Sequence, residues 1–214
     1  MSSETALSLP VIDFSSTELK PGTPVWETVK SQVRKAAEEY GCFEALVKNV
    51  PQELRKAMDA ALEELFALPL EIKKLHLSDI PYHGYIGPSP SLPNHESIGF
   101  EAADNFDNVQ SFTNILWPHG NLNFRFVILT SLWLIDGLEV QTKDGEWFNV
   151  KFSPHSFIVL IGESLSAWTN GRLHSPYHRV MIGGNKTRYS AILFAIPKEG
   201  YIVKAVEELV GEEH

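Results

Sequence analysis

The sequence predicts a mainly β fold with N-terminal helices, an α+β chain whose second half is half of an all-β sandwich or jelly roll. Two observations lead to this prediction. Between residues 24 and 65, apolar residues recur at the three- and four-residue steps of amphipathic helices. From residue 136 onward, short apolar runs alternate with turns rich in Gly, Pro and Asp, as in sandwiches and jelly rolls. With 214 residues and 43% hydrophobic content, one compact domain is expected.

The first seventy residues hold the predicted helices. Short apolar strands are expected at residues 9–14 and 42–47, with a helix between them that Pro24 opens and Gly41 ends. Pro51 begins a second helix, and Pro69 indicates a third, short helical piece. The apolar stripes of the two long helices are typical of core packing rather than of cofactor contacts; they comprise Trp26, Val29, Val33, Ala36 and Tyr40, then Leu54, Met58, Leu62 and Leu65.

The stretch from Ser78 to Gln110 has little periodicity and many Ser, Pro and Asn residues. It is interpreted as a long surface loop. Loops of this length in a compact protein are often functional, so one hypothesis is that this loop forms one wall of a substrate pocket. The simpler hypothesis is that the loop is a solvated connection without a functional role.

The C-terminal half supplies the predicted strands. Residues 136–150 form a hairpin around a Lys-Asp-Gly-Glu turn, and residues 157–162 form a buried strand. Two alternating runs then flank a Gly183-Gly184 turn, the first carrying His178 and the second Arg188 and Ser190. This arrangement places three polar side chains among apolar neighbours, which suits a metal beside an anchored carboxylate.

Composition narrows the function classes. The chain has 27 acidic and 18 basic side chains, a net charge of −9, which argues against a nucleic-acid groove or an anionic membrane surface as its main partner. The single cysteine, Cys42, cannot form an internal disulfide. With neither a membrane-spanning run nor the cationic start of a signal peptide, a soluble cytoplasmic protein is expected.

Six short motifs follow one another along the chain in a specific order and spacing. They are Leu9-Pro10-Val11-Ile12-Asp13, Tyr40-Gly41-Cys42-Phe43, Asp136-Gly137-Leu138-Glu139-Val140-Gln141, Asn170-Gly171-Arg172, His178-Arg179-Val180 and Arg188-Tyr189-Ser190. Together they resemble the plant 2-oxoglutarate- and Fe(II)-dependent dioxygenases, or iron/ascorbate oxidoreductases. The sequences of these motifs are most similar to those of the branch that contains the AOP-type glucosinolate-modifying and auxin-oxidising enzymes. The resemblance covers nearly the whole chain except residues 121–135.

That resemblance implies a partial double-stranded β-helix and a site for Fe(II), with 2-oxoglutarate as cosubstrate, ascorbate as reductant and a small plant metabolite as substrate. By resemblance, His178 is the distal metal ligand, Arg188 anchors the far carboxylate of 2-oxoglutarate, and Ser190 adds a hydroxyl to it. Arginine suits this task because its planar fork binds a carboxylate through two parallel hydrogen bonds. Each residue also has a simpler interpretation: His178 as a structural histidine, Arg188 in a surface ion pair and Ser190 as an ordinary strand residue.

The family's other two metal ligands form a His-x-Asp pair, and this sequence lacks it. None of the eight histidines has Asp or Glu two positions later. The expected place falls at Asn121-Leu122-Asn123, and an asparagine amide is a poor iron(II) ligand. Loop residues could supply replacement metal ligands only if a histidine and an acidic residue folded towards His178. The candidates are His83, His95 or His119 with Glu96, Glu101 or Asp104.

The surroundings favour a deletion over a substitution. In the resembling family, several dozen residues separate the Leu116-to-Asn121 stretch from the metal pair, whereas here an apolar run from Phe126 to Ile135 follows almost at once. The chain therefore resembles a shortened paralogue, a splice variant or a faulty gene model. We expect residues 1–120 to form the N-terminal region with the long loop, and residues 121–214 to form a partial jelly-roll core.

Three hypotheses follow. The first is an iron and 2-oxoglutarate dioxygenase by descent, impaired because losing two direct ligands should weaken a metal site by more than the roughly 10–100-fold typical of a lost supporting partner. The second is a non-catalytic binding module that keeps Arg188 and Ser190. The third is a truncated product that does not fold stably. An exposed apolar strand between Phe126 and Ile135 would favour self-association in either of the last two.

Overall fold

A computed structural model describes residues 8–48, 50–130, 138–151, 153, 155–181, 187, 189–198 and 200–210. It divides into two compact units, one formed by Met1–Pro51 with Leu134–His214 and the other by Gln52–Trp133. The described elements, in chain order, are β1 (Val11–Asp13), α1 (Pro24–Glu39), β2 (Cys42–Leu46), α2 (Gln52–Ala67), α3 (Leu70–Lys73), β3 (Gly84–Ile86), β4 (Ser97–Gly99), α4 (Phe106–Leu116), α5 (Leu122–Thr130), β5 (Leu138–Gln141), β6 (Trp147–Asn149), β7 (Ser156–Leu160), α6 (Glu163–Trp168), β8 (His178–Val180) and a 3-10 helix (Glu207–Leu209).

The first unit contains two three-stranded sheets, ordered β1-β2-β7 and β6-β5-β8. In the first sheet, β1 runs parallel to β2, and β7 runs antiparallel to it. In the second, both neighbours of β5 are antiparallel. The strands predicted near residues 9–14, 42–47 and 157–162, and the hairpin of residues 136–150, are confirmed within the described residues.

Helix α1 begins and ends as the sequence predicts. Thr23 is its N-cap, accepting a hydrogen bond on Oγ1 from the Trp26 amide at 3.2 Å, and Pro24 occupies the first turn, where a missing N–H costs nothing. Gly41 follows with φ +69°, a left-handed conformation that glycine adopts without strain. Because the helix stops there, the chain turns directly into β2.

The core of the first unit includes a cluster that joins both sheets. It contains Leu9, Cys42, Leu138, Val140, Phe148 and Val150. Cys42 is fully buried, and burial raises the pKa of its thiol to about 12. This free cysteine is therefore a packing residue rather than a reactive thiolate.

The second unit is built from α2, α4 and α5 around aromatic side chains. Phe112 stacks on Phe100 with ring centroids 4.2 Å apart, and Phe124 meets Trp117 at 4.7 Å. Phe124 and Val127, one helical turn apart on α5, are fully buried. These two residues of α5 therefore belong to the core of this unit.

Three predictions were wrong in part. The loop expected from Ser78 to Gln110 contains the β3–β4 hairpin and the start of α4. The run from Phe126 to Ile135 is helical as far as Thr130, and residues 131–135 lie outside the described part. The mainly β emphasis also fails: α1 and α2 have 16 residues each, whereas the strands among the described residues have three to five, so α+β is the better description.

No helix in the described ranges is both long enough and apolar enough to cross a bilayer.

Candidate functional site

His178 lies on β8, at the edge of the second sheet, and pairs directly with Val140 of β5. Two residues further along each strand, Leu138 pairs with Val180, and these side chains lie on the same face of the sheet. His178 therefore shares the face of two buried residues, Leu138 and Val140, although its own side chain is exposed. Its Nδ1 lies 3.3 Å from the Pro176 carbonyl oxygen.

Arg179 holds the register that gives His178 this face. Its Nε donates to Glu139 Oε2 at 2.8 Å, and its guanidinium lies 4.1 Å from the centre of the Trp147 ring. Both contacts are on the opposite face of the sheet from His178. If the pairing of β8 with β5 shifted by one residue, every side chain of β8 would move to the other face of the sheet. The contacts of Arg179 with Glu139 and with the Trp147 ring favour the observed register, and so they favour the observed face for His178.

Arg188 and Ser190 were predicted to follow on the next strand. Arg188 lies outside the described residues. Ser190 is half-buried, and the described stretch from Tyr189 to Lys198 contains no strand, so that part of the prediction was wrong. Within the described residues, no hydrogen bond joins Ser190 to His178.

His174 lies four residues before His178 in the sequence and contacts α1. Its backbone amide donates to the Ala37 carbonyl at 3.0 Å, while its Nε2 is buried and has no hydrogen-bond partner among the described residues. Burial and the nearby Lys143 charge lower the pKa of its imidazole, and Glu163 opposes them. These surroundings favour the neutral form of the His174 imidazole.

A cavity of about 420 Å³ opens beside the tip of the β5–β6 hairpin. His178 and Ser190 are absent from its wall, so the cavity does not coincide with the predicted site. It is lined by Glu39, Tyr40, Gln141, Thr142, Lys143, Asp144 and Phe148.

Comparison with known proteins identifies the family. The profile described as the 2OG-Fe(II) oxygenase superfamily matches residues 95–197, and the N-terminal profile described as non-haem dioxygenase in morphine synthesis matches residues 9–112. The "Probable 2-oxoglutarate-dependent dioxygenase AOP1.2" of Arabidopsis thaliana is 37% identical, over 98% of this chain and 86% of the relative. This chain belongs to the 2OG-Fe(II) oxygenase superfamily.

Solved oxygenases have the same fold. The Arabidopsis thaliana dioxygenase for auxin oxidation 1, determined with 2-oxoglutarate, gives a TM-score of 0.79 at 18% identity over 96% of this chain and 99% of that one. The rice dioxygenase for auxin oxidation gives 0.75 at 24% identity over 97% and 89%. At these identities the likeness concerns the fold alone.

The alignment with the Arabidopsis oxygenase extends over 281 positions, whereas this chain has 214 residues, so at least 67 of those positions have no residue of this chain opposite them. Oxygenases of this family use Fe(II) and 2-oxoglutarate. Whether the residues present here suit an iron can be judged from the donors that the fold brings together.

The donors in the described part of the chain do not form a site for an iron. Among the described residues, no three His, Cys, Asp or Glu side chains come together in a way that could hold a metal ion. His178 supplies one imidazole, and a single nitrogen cannot fix the facial arrangement of two histidines and one carboxylate that Fe(II) oxygenases need.

Asn121, at the place expected for the metal pair, has a structural role. Its Oδ1 accepts a hydrogen bond from the Phe124 amide at 2.9 Å, and its Nδ2 donates to Glu64 Oε1 at 2.7 Å. The side chain thus caps the start of α5 and ties it to α2. Both polar atoms are in use, and neither adjoins a cluster of metal-ligating side chains in the described part of the chain.

The loop histidines do not form a metal site in the described residues. His83 Nε2 lies 3.6 Å from Glu101 Oε1, which gives two donors rather than three. Glu96 is engaged elsewhere, since Lys73 Nζ lies 3.0 Å from each of its carboxylate oxygens and the Tyr85 hydroxyl donates to Oε1.

Proposed function

We propose that this chain is a 2OG-Fe(II) oxygenase family member that has lost metal-dependent turnover and acts as a non-catalytic protein of that fold. One observation carries the proposal: His178 is the one family ligand that the motifs match in the sequence, and the described structure contains no group of three metal donors that could include it. Asn121, a helix cap at the expected position of the lost pair, supports it.

The family also indicates what a retained site would bind. The related plant oxygenases are named as 2-oxoglutarate-dependent, so the ancestral reaction is oxidation of a small plant metabolite with 2-oxoglutarate as cosubstrate. In our proposal, Arg188 and Ser190 remain as a weak carboxylate site. Arginine pairs with a carboxylate without needing a metal.

Two further features belong to the same proposal. Residues 1–120 and 121–214 correspond to the N-terminal region and to a partial jelly-roll core. The protein works in the cytoplasm, for which the single, buried and unpaired Cys42 is the support, since disulfides mark oxidising compartments.

The competing function is catalysis, favoured by the 37% identity to an oxygenase named as a probable dioxygenase. Catalysis requires further ligands that complete the coordination of an iron bound by His178. An anaerobic Fe(II) titration with 2-oxoglutarate separates the two functions, because a chelated complex gives a visible charge-transfer band. The Arabidopsis relative, prepared in the same way, is the positive control.

We expect the band in the relative and none in this chain, with no 2-oxoglutarate decarboxylation after oxygen is admitted. Near-ultraviolet circular dichroism establishes that the sample is folded. A band that His178→Ala abolishes would overturn the proposal and assign catalysis. Metal-free 2-oxoglutarate binding, measured by calorimetry, should be weakened by Arg188→Met and unchanged by Arg172→Met, since Arg172 pairs with Glu38 at 2.9 Å.

A further inference from the structure

The cavity beside the tip of the β5–β6 hairpin has no part in the proposed function. The end of α1 forms one side of it and the hairpin forms the other, and both elements belong to the first unit. Its volume of about 420 Å³ lies near the lower end of the range, roughly 300–1,000 Å³, that small-molecule pockets occupy. The cavity is therefore large enough for a small organic molecule.

The hairpin side of the cavity is held in a fixed conformation. Gln141 Nε2 donates to the Gly145 carbonyl oxygen at 2.8 Å, and Thr142 Oγ1 accepts from the Glu146 amide at 3.0 Å. The Thr142 amide also donates to the Glu146 carbonyl oxygen at 2.9 Å. Lys143 and Asp144 lie inside this turn, so binding a ligand there would not require the backbone to become ordered first.

The wall carries polar groups that are free to bind a ligand. In the part of the chain that the structure describes, no hydrogen bond or ion pair engages the Tyr40 hydroxyl, the Lys143 ammonium or the Asp144 carboxylate. Glu39 meets Lys35 only at 4.0 Å, the outer limit of an ion pair. A ligand could pair with these four groups without displacing a close contact of the protein.

The inner surface of the cavity is aromatic. Phe148 is 9% exposed and belongs to the core cluster that joins the two sheets, and Tyr40 packs against that cluster. Aromatic rings offer a large apolar contact to a ligand of the same kind. The cavity thus combines a charged mouth with an apolar inner surface.

The charges of the wall decide the class of ligand. A purely anionic molecule would meet the carboxylates of Glu39 and Asp144, and a purely cationic one would meet Lys143. A molecule with one ammonium and one carboxylate can pair with both signs. We propose that this cavity binds a small zwitterion with an apolar body, of the class of an aromatic α-amino acid. Its carboxylate would pair with Lys143 and its ammonium with Glu39 and Asp144, while its side chain would contact Phe148.

The proposed site is weak and independent of the proposed function. Glu39, Lys143 and Asp144 are exposed, so each ion pair contributes little, and a small ligand offers little contact area. A Kd on the order of 1 mM is expected. Because 2-oxoglutarate carries two carboxylates and no ammonium, it should not bind here. Failure of this proposal would therefore leave the proposed function standing, and the reverse holds as well.

Amide NMR of the folded chain, titrated with L-phenylalanine to about 10 mM, tests the proposal, since this range spans the expected Kd. Saturable shifts should appear at Tyr40, at residues 141–144 and at Phe148. Phenethylamine, which lacks the carboxylate, and phenylpropionate, which lacks the ammonium, should each bind about threefold to fivefold more weakly. The absence of saturable shifts at these residues would overturn the proposal, as would equal binding of either single-charge probe.

Two variants assign the charges, and each has a matched control. Lys143→Met should weaken phenylalanine binding about threefold to fivefold without weakening phenethylamine binding, whereas Lys151→Met, at an exposed lysine outside the wall, should change neither. Asp144→Asn should weaken phenylalanine but not phenylpropionate, and it keeps a residue that this turn tolerates before Gly145. Glu146→Gln is its control. Unchanged phenylalanine binding by Lys143→Met, in a variant whose spectrum shows the native fold, would contradict the proposed pairing.

Discussion

Lys73 and Glu96 form a two-oxygen ion pair in the second unit, with Lys73 Nζ 3.0 Å from each carboxylate oxygen of Glu96. Lys73 also donates to the Phe66 carbonyl at 3.0 Å, and the Tyr85 hydroxyl donates to Glu96. The lysine side chain is 7% exposed and the glutamate 29% exposed. This network ties α3 to the β3–β4 region in a segment whose sequence reads as a loop.

Removing one partner of this pair should destabilise the protein. Lys73→Met leaves the Glu96 carboxylate partly buried without its cation, and we expect a loss of about 2–3 kcal/mol in the free energy of unfolding, which is below the roughly 3–5 kcal/mol of fully buried pairs because Glu96 is partly exposed. Urea denaturation measures it. Lys74→Met, which alters the exposed neighbouring lysine, should change stability by less than about 0.5 kcal/mol. Additive effects of Lys73→Met and Glu96→Gln in a double-mutant cycle would refute the coupling.

The same pair predicts an acid-sensitive contribution to stability. Burial alone would raise the pKa of the Glu96 carboxyl, but the hydrogen bonds from Tyr85 and Lys73 and the Lys73 charge outweigh burial and lower it. A carboxylate whose pKa is lower in the folded state stabilises the fold above its unfolded pKa of about 4.3, and this contribution disappears as pH falls further. Glu96→Gln should therefore flatten the loss of stability below about pH 4.5, measured by urea denaturation at pH 3 to 7. An unchanged slope would show that Glu96 is not the group responsible.

Gly41 is predicted to resist substitution at the turn between α1 and β2. Its φ is +69°, and an added Cβ would overlap the His174 carbonyl oxygen, a backbone atom with little freedom to move. Gly41→Ala should cost about 3 kcal/mol or more, from strain and displaced backbone together. Gly22, with φ +88° and no atom within 4 Å of the added Cβ, is the matched control. Gly22→Ala should cost only about 1 kcal/mol, so equal losses in thermal or urea unfolding would refute the close approach.

Where local sequence and packing agree, the sequence predicted the fold well. Thr23, Pro24 and Gly41 mark the bounds of α1 by capping and backbone preference, and the structure follows them. Asn105 was an overlooked indication of the same kind. It accepts hydrogen bonds from the Asp107 and Asn108 amides at the start of α4, and Val109 and Phe112 follow at helical spacing.

Other features depend on residues distant in sequence and could not be predicted locally. A short apolar run is compatible with either a strand or a helix, and the run after Asn121 is helical because Phe124 and Val127 enter a core shared with α2 and α4. The Lys73–Glu96 pair joins residues 23 positions apart, so no local pattern reveals it. At the site, the roles of His178, Arg188 and Ser190 stay predictions.

Asn121 provides a test of what stands at the position expected for the family's metal pair. As a helix cap bonded to the Phe124 amide and to Glu64, it should contribute about 1 kcal/mol to the free energy of unfolding, and Asn121→Ala should remove that amount. Asn121→Asp should retain most of the capping, because a carboxylate also accepts from the Phe124 amide, but it replaces the bond donated to Glu64 with repulsion between two carboxylates. Asn123→Ala, at an exposed position two residues on, is the control and should be nearly neutral. Urea denaturation in the presence and absence of Fe(II) separates the two roles: a cap gives the same loss in both, whereas a loss confined to the iron-containing sample would make Asn121 part of a metal site.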